Sequence, residues 1–163
     1  MPLSIHLSLH FILAVLSGAL VGYYFKRLWL GIALGIIGGF FIDLDHVLEY
    51  WLVFPEKFQL LYFFQGRQFL YSEKAYLWFH AWEYLPLLGL AAYLFRKKTL
   101  AKVALISLAF SGSVHLLTDS LINQLPLKYY SLGYRASQDF SMKKLNTPAV
   151  YELNMKVKQK LGM

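Results

Sequence analysis

At 163 residues the chain has the length of one domain, and 58% of it is hydrophobic, 18% aromatic and only 15% charged, with a mean hydropathy of +0.46. Soluble domains carry about 25% charged residues, so this composition excludes an ordinary soluble fold and points to a membrane protein. The net charge of +7 suits an anionic lipid surface, no nucleic-acid-binding motif accompanies it, and the absence of cysteine excludes disulfides and thiolate metal sites.

About 20 apolar residues cross a bilayer core. The first such run covers residues 3–25, carries His6 and His10 near its start, and stops at Lys26-Arg27. Its length and the lack of a basic n-region in MPLSIHLSLH make it a span rather than a signal sequence. A second run begins at Leu28, is apolar through Ile42, and continues as DLDHVLEYWLVF to Pro55, bringing Asp43, Asp45, His46 and Glu49. Residues 55–75 are rich in Phe, Leu and Tyr and read as an interfacial loop. A third span is expected over residues 76–95, opening with His80 and Glu83 and stopping at Arg96-Lys97-Lys98. The fourth covers residues 100–122 and ends with His115 and Asp119. Residues 126–146 read as irregular. Thr147-Pro148 then has the form of an N-cap with proline at the first helical position, ahead of the apolar stripe Leu153, Val157, Leu161 flanked by lysines. Glycine pairs at GxxxG spacing (Gly18/Gly22, Gly31/Gly35, Gly35/Gly39) permit close helix approach. The expectation is an all-α polytopic membrane protein: a bundle of four transmembrane helices plus a short amphipathic C-terminal helix. Residues 1–125 form the bundle with its polar layer, and residues 126–163 a basic tail.

Alternating direction through four spans brings every His-containing group towards one membrane face, in a layer about 10 Å deep at 1.5 Å per residue. His6/His10 and His115/Asp119 are four apart, Asp43/His46 and His80/Glu83 three apart, so on helices each pair shares a face. Asp45 points away from Asp43 and is placed to pair with Glu49. A lone histidine in an apolar helix is more often a packing residue than a ligand, and His6 alone would sit at the interface. Four grouped pairs on one face are different, because ionisable groups in a membrane cost several kcal/mol unless they are paired, ligate a metal or face water. Imidazole and carboxylate without thiolate suit zinc, with manganese or iron as alternatives, and the donors suffice for one or two ions. The candidate ligands are His6, His10, Asp43, His46, His80, His115 and Asp119. Asp45 and Glu83 are the candidate general bases or ligand-orienting groups.

In these residues the chain resembles the YdjM-type family of membrane-bound metal-dependent hydrolases. The shared pattern is an early histidine in the first span, the D-L-D-H run from Asp43 to His46, His80 at the third span, and S-G-S-V-H-L-L-T-D-S ending in His115 and Asp119. The resemblance covers about residues 1–125. It departs before the third span, where YLWFHAWEYL keeps one histidine and puts Glu83 at a position usually held by a small hydroxyl residue. A remoter similarity is to the helical zinc-dependent phospholipase C and P1 nuclease group. The resemblance implies hydrolysis, and the remoter one phosphoester cleavage.

The expected function is therefore a membrane-embedded metal-dependent hydrolase acting on a lipid or lipid-linked phosphoester, with membrane lipids as partners. A metal or proton carrier and a structural protein with a metal clamp are the alternatives. Lys26, Arg27, Arg96, Lys97, Lys98 and Lys102 mark the face opposite the site as cytoplasmic by the positive-inside rule. The expectation is a multi-pass plasma (inner) membrane protein with its site on the non-cytoplasmic face.

Overall fold

The computed structural model describes residues 3–163, with side chains from Ile5 onward; the first two residues of the expected bundle lie outside the described residues. Among the described residues every regular element is helical. Helix α1 is Leu3–Tyr24, α2 Leu28–Gly39 and α3 Leu44–Val53, with a 3₁₀ turn at Phe41–Asp43 between the last two. Two short helices follow, α4 Leu60–Phe64 and α5 Arg67–Ser72. Next come α6 Tyr84–Leu94 and α7 Thr99–Ile122. After a 3₁₀ turn at Leu127–Tyr130 the chain forms α8 Leu132–Ser137, α9 Met142–Leu145 and α10 Pro148–Lys160.

Three segments are long and apolar enough to cross a membrane: Ile5–Tyr24, Leu28–Val53 and Thr99–Ile122. The expectation of four is corrected. Helix α6 has 11 residues, about 17 Å at 1.5 Å per residue, against a hydrocarbon core of about 30 Å. It packs along α7, while residues 76–83, expected as its first turns, are not helical. The outward surfaces of the long helices are apolar, with Leu16, Leu20 and Trp29 60–80% exposed, as lipid contact requires.

Small residues determine how α1 and α2 meet. A Cβ on Gly18 would stand 2.4 Å from the Gly31 carbonyl oxygen, and one on Gly31 would stand 2.4 Å from that of Gly18. Backbones this close need glycine on both sides, which gives the GxxxG spacing its purpose. Helix α7 packs against both α1 and α2. The bundle is thus a three-helix core to which α6 adds a partial fourth.

The segment after residue 125 folds back over the site end of the bundle. Tyr129, Tyr130, Met142 and Leu145 are buried together with Ala75, Leu77 and Leu116. The stretch 126–146, expected to be irregular, contains two short helices and a 3₁₀ turn. At α10, Thr147 caps the helix by accepting from the Val150 N–H, and Pro148 takes the first position, as the sequence suggests.

Candidate metal centre

Asp43, His80, His115 and Asp119 each present one donor atom, and these atoms lie within 4.8 Å of one another. Asp43 ends the 3₁₀ turn that interrupts the second span; His115 and Asp119 share a face of α7. His80 Nε2 stands 3.3 Å from both Asp43 Oδ1 and Asp119 Oδ2. His115 Nε2 stands 3.5 and 3.4 Å from the same two oxygens and 3.1 Å from His80 Nε2. Four ligands at about 2.1 Å in a tetrahedron stand about 3.4 Å apart. The donors therefore have the mutual spacing of a four-coordinate ion's ligands.

The tautomers agree with this. Nδ1 of His115 lies 2.9 Å from the Gly39 carbonyl oxygen, an acceptor only, so Nδ1 carries the proton. That carbonyl is free because the helix breaks after Gly39. His80 Nδ1 lies 2.9 Å from Asp45 Oδ2, which fixes the same tautomer when the ring is neutral. With both rings neutral, both Nε2 lone pairs are then free to ligate one ion. Asp43 Oδ2 is also buried without a protein hydrogen-bond partner. The donor set fits a metal ion.

A second set adjoins the first. His6 Nε2 and His10 Nε2 are 3.0 Å apart, and Asp119 Oδ1 is 3.4 Å from the former and 3.0 Å from the latter. Asp119 thus turns one oxygen to each set. His46 lies at the edge, its Nε2 3.6 Å from Asp43 Oδ1 and its side chain 30% exposed. Asp45, His46 and His80 form a further group of potential donors, but Asp45 already engages His80 Nδ1.

The two carboxylates read as candidate bases have other surroundings. Asp45 is fully buried and accepts from the His80 ring and the backbone N–H groups of Phe79 and His80. It fixes the His80 ring, and the expected pairing with Glu49 is replaced by these bonds. Glu83 is not brought to the cluster. Its carboxylate accepts from the Ser131 hydroxyl at 2.6 Å and from the Leu132 and Gly133 N–H groups. Burial would raise the Glu83 carboxyl, but these hydrogen bonds outweigh it and bring the group down to about 2. The helical pairing of His80 with Glu83 fails because the chain is not helical there.

Residues 76–83 hold His80 in place, and buried charges hold those residues. Non-helical backbone at membrane depth requires partners from the protein itself. Glu49, fully buried, accepts from the Tyr76 and Leu77 N–H groups, while Asp45 serves Phe79 and His80. Arg135 supplies the complementary donors. Its guanidinium, fully buried, donates to the carbonyls of Tyr76, Leu77, His80 and Tyr129 at 2.7–3.1 Å. Leu77 sits at φ +46°, a costly conformation for a branched residue, and Glu49 and Arg135 grip its two peptide groups. Arg135 lies within the stretch expected to be irregular and basic. Its signal is that it stands alone as arginine among the lysines after residue 125, and only arginine offers five donors in a fixed fork.

A cavity of about 630 Å³ opens onto the cluster at His6, His46, His80 and Asp119, with walls from α4–α5 and from the segment after residue 122. A smaller one of about 200 Å³ meets it at His6 and His46 and is lined by Leu7, Phe63, Phe64 and Phe69. Comparison with family models, curated proteins and solved structures gives no match for this chain.

Proposed function

We propose that the protein is a membrane-embedded metal-dependent hydrolase of lipid or lipid-linked phosphoesters, in keeping with its resemblance to the YdjM-type family. The observation that carries this reading is the pair of donor sets sharing Asp119. The set of Asp43, His80, His115 and Asp119 is complete at four, whereas His6, His10 and Asp119 number three. Three protein ligands with an open position are the pattern of catalytic sites. The open set faces the larger cavity through His6.

Divalent ions in such sets, with zinc the best match to the donors, supply Lewis acidity and lower the pKa of water towards neutrality. The chain's own residues do the rest. Asp119 fixes the separation of the two sets. Asp45 and the Gly39 carbonyl hold His80 and His115 in the ligating tautomer. His46, the partly exposed ring at the junction of both cavities, is the group placed to pass a proton between cluster and solvent. The aromatic wall excludes water from the apolar side.

The carrier alternative draws support from a polar line that continues from His115 to Ser111, hydrogen-bonded to Ser17 at 2.7 Å, and to buried Ser107. It then meets Val103, which is fully buried, and no acidic, basic or histidine residue follows His10 on α1. An ion path with no charged step across half the membrane is the poorer account. Purified protein in detergent should hydrolyse a lipid phosphoester, lose the activity to a chelator and regain it with zinc or manganese. Metal or proton uptake into sealed vesicles, without turnover on any phosphoester, would replace the hydrolase with the carrier.

A further inference from the structure

The lining of the larger cavity carries a chemical signature beyond the donor cluster. Among the described residues that line it there is no lysine, arginine or glutamate, and its single carboxylate is Asp119. The remaining polar groups are neutral: Gln65, Asn123, Asn146, Asn154 and the phenols of Tyr129 and Tyr130. This is unexpected for a wall cut from the most basic part of the chain. On α10, Val150, Asn154 and Val157 face the cavity, at spacings of four and three that share a helix side. Lys156 and Lys160 lie exposed, and Lys158 is drawn off to Glu73 at 2.6 Å. Arg135 is turned onto backbone carbonyls. Every cation of this segment is kept out of the cavity.

Two of the amides have spare capacity. Among the described residues neither the Asn146 nor the Asn154 side chain has a hydrogen-bond partner, and both are half-buried against the cavity. Amides offer donors and acceptors together, the requirement for hydroxyl groups. A charged group placed here would lose water without gaining a counter-charge. The adjoining smaller cavity is apolar apart from His6, Asp43, His46 and Gln68, and its phenylalanines suit hydrocarbon. The donor cluster thus sits where a polar neutral cavity meets an apolar one.

We propose, building on the hydrolase reading, that the ligand is a lipid with an uncharged polyhydroxyl head: the head occupies the larger cavity against Asn146 and Asn154, and the start of the hydrocarbon chain occupies the smaller. The test is native mass spectrometry of the zinc-loaded, full-length protein in detergent. Equal amounts of phosphatidylglycerol, phosphatidylcholine and phosphatidylserine with identical chains are offered, and soluble glycerol phosphate is offered separately. Phosphatidylglycerol should be retained at least about tenfold better than either charged-head lipid and than glycerol phosphate. Asn146→Leu with Asn154→Leu should abolish that preference with bound metal unchanged. Asn154→Asp alone should move it towards the choline head, a gain that no loss of folding can mimic. Equal retention of the three lipids, or an unchanged ranking in both variants, overturns the inference. Glycerol phosphate held as tightly as the lipid overturns it too, by removing the hydrocarbon half. Because binding is read, a protein that ranks the lipids as stated yet cleaves none defeats the hydrolase reading alone, and one that cleaves all three equally defeats this inference alone.

Discussion

Asp119 and Asp45 are both buried aspartates next to His80, yet they should respond differently to loss of charge. Asp119 touches both donor sets, so Asp119→Asn should remove all tightly bound metal. Asp45 touches only the far nitrogen of His80, and Asp45→Asn should keep the stoichiometry while lowering affinity roughly ten- to a hundredfold. Metal content by mass spectrometry and a competitive chelator titration separate the two; equal loss in both would make Asp45 a ligand. Arg135 extends the same logic to a residue that ligates nothing. Arg135→Lys keeps the charge but cannot reach four carbonyls, so unfolding should become easier by at least ~2 kcal/mol. The variant should also bind metal poorly, because His80 loses its support. Full metal affinity in Arg135→Lys would show that residues 76–83 hold their shape without it.

At the scale of elements, the sequence is most misleading over residues 76–95. Residues 76–95 have the length of a span and a majority of apolar residues, and neither property separates a helix from irregular backbone buried in protein. What distinguishes the two is the supply of buried partners: Glu49 on α3 and Arg135 on α8, neither of which a helix over residues 76–83 would need. The ligand candidates survive this error because they were chosen by chemistry and by membrane face. Glu83 does not, because its role rested on helical spacing. Its contact with Ser131–Gly133 is instead a docking point for the segment after residue 125. The Glu83 carboxyl falls from an ordinary 4.5 to about 2 on folding, so docking is stabilised fully above about 4.5 and the gain disappears as pH drops through 2. Thermal melts should show a loss over that interval that is absent in Glu83→Gln, which should retain its metal at neutral pH. The glycine seam makes a separate demand. Gly31→Leu should force α1 from α2 and lower the melting temperature by roughly 3–10 °C, the range expected for overpacking of ~1–3 kcal/mol.

For the whole molecule, six of the seven candidate ligands are in or beside three long helices, and the seventh, His80, is on the connection between α5 and α6. With α6 running from the site level towards Arg96–Lys98, the 55–75 connection and the segment after residue 125 share one face. Cysteines introduced at Glu56 and Asp139 should therefore label from the same side of intact membranes, and one at Lys97 from the other. Labelling of Glu56 and Lys97 from one side would undo the common layer on which the ligand set was first gathered. Ending the chain at residue 125 keeps every candidate ligand, yet it should abolish tight metal binding.

The reach from Arg135 to the His80 carbonyl spans 55 positions of sequence, and it fixes a timetable. All three long helices precede Arg135 in the chain, so they can leave the ribosome and enter the membrane before Arg135 has itself emerged. Until then the carbonyls around His80 lack their guanidinium, and Asp43, His115 and Asp119 wait without a firmly held fourth donor. Tight binding of a metal ion should consequently follow insertion and await the emergence of Arg135 from the ribosome. Chains that end at residue 134 and are released from the ribosome should sit in the membrane fully threaded, with no tightly held ion.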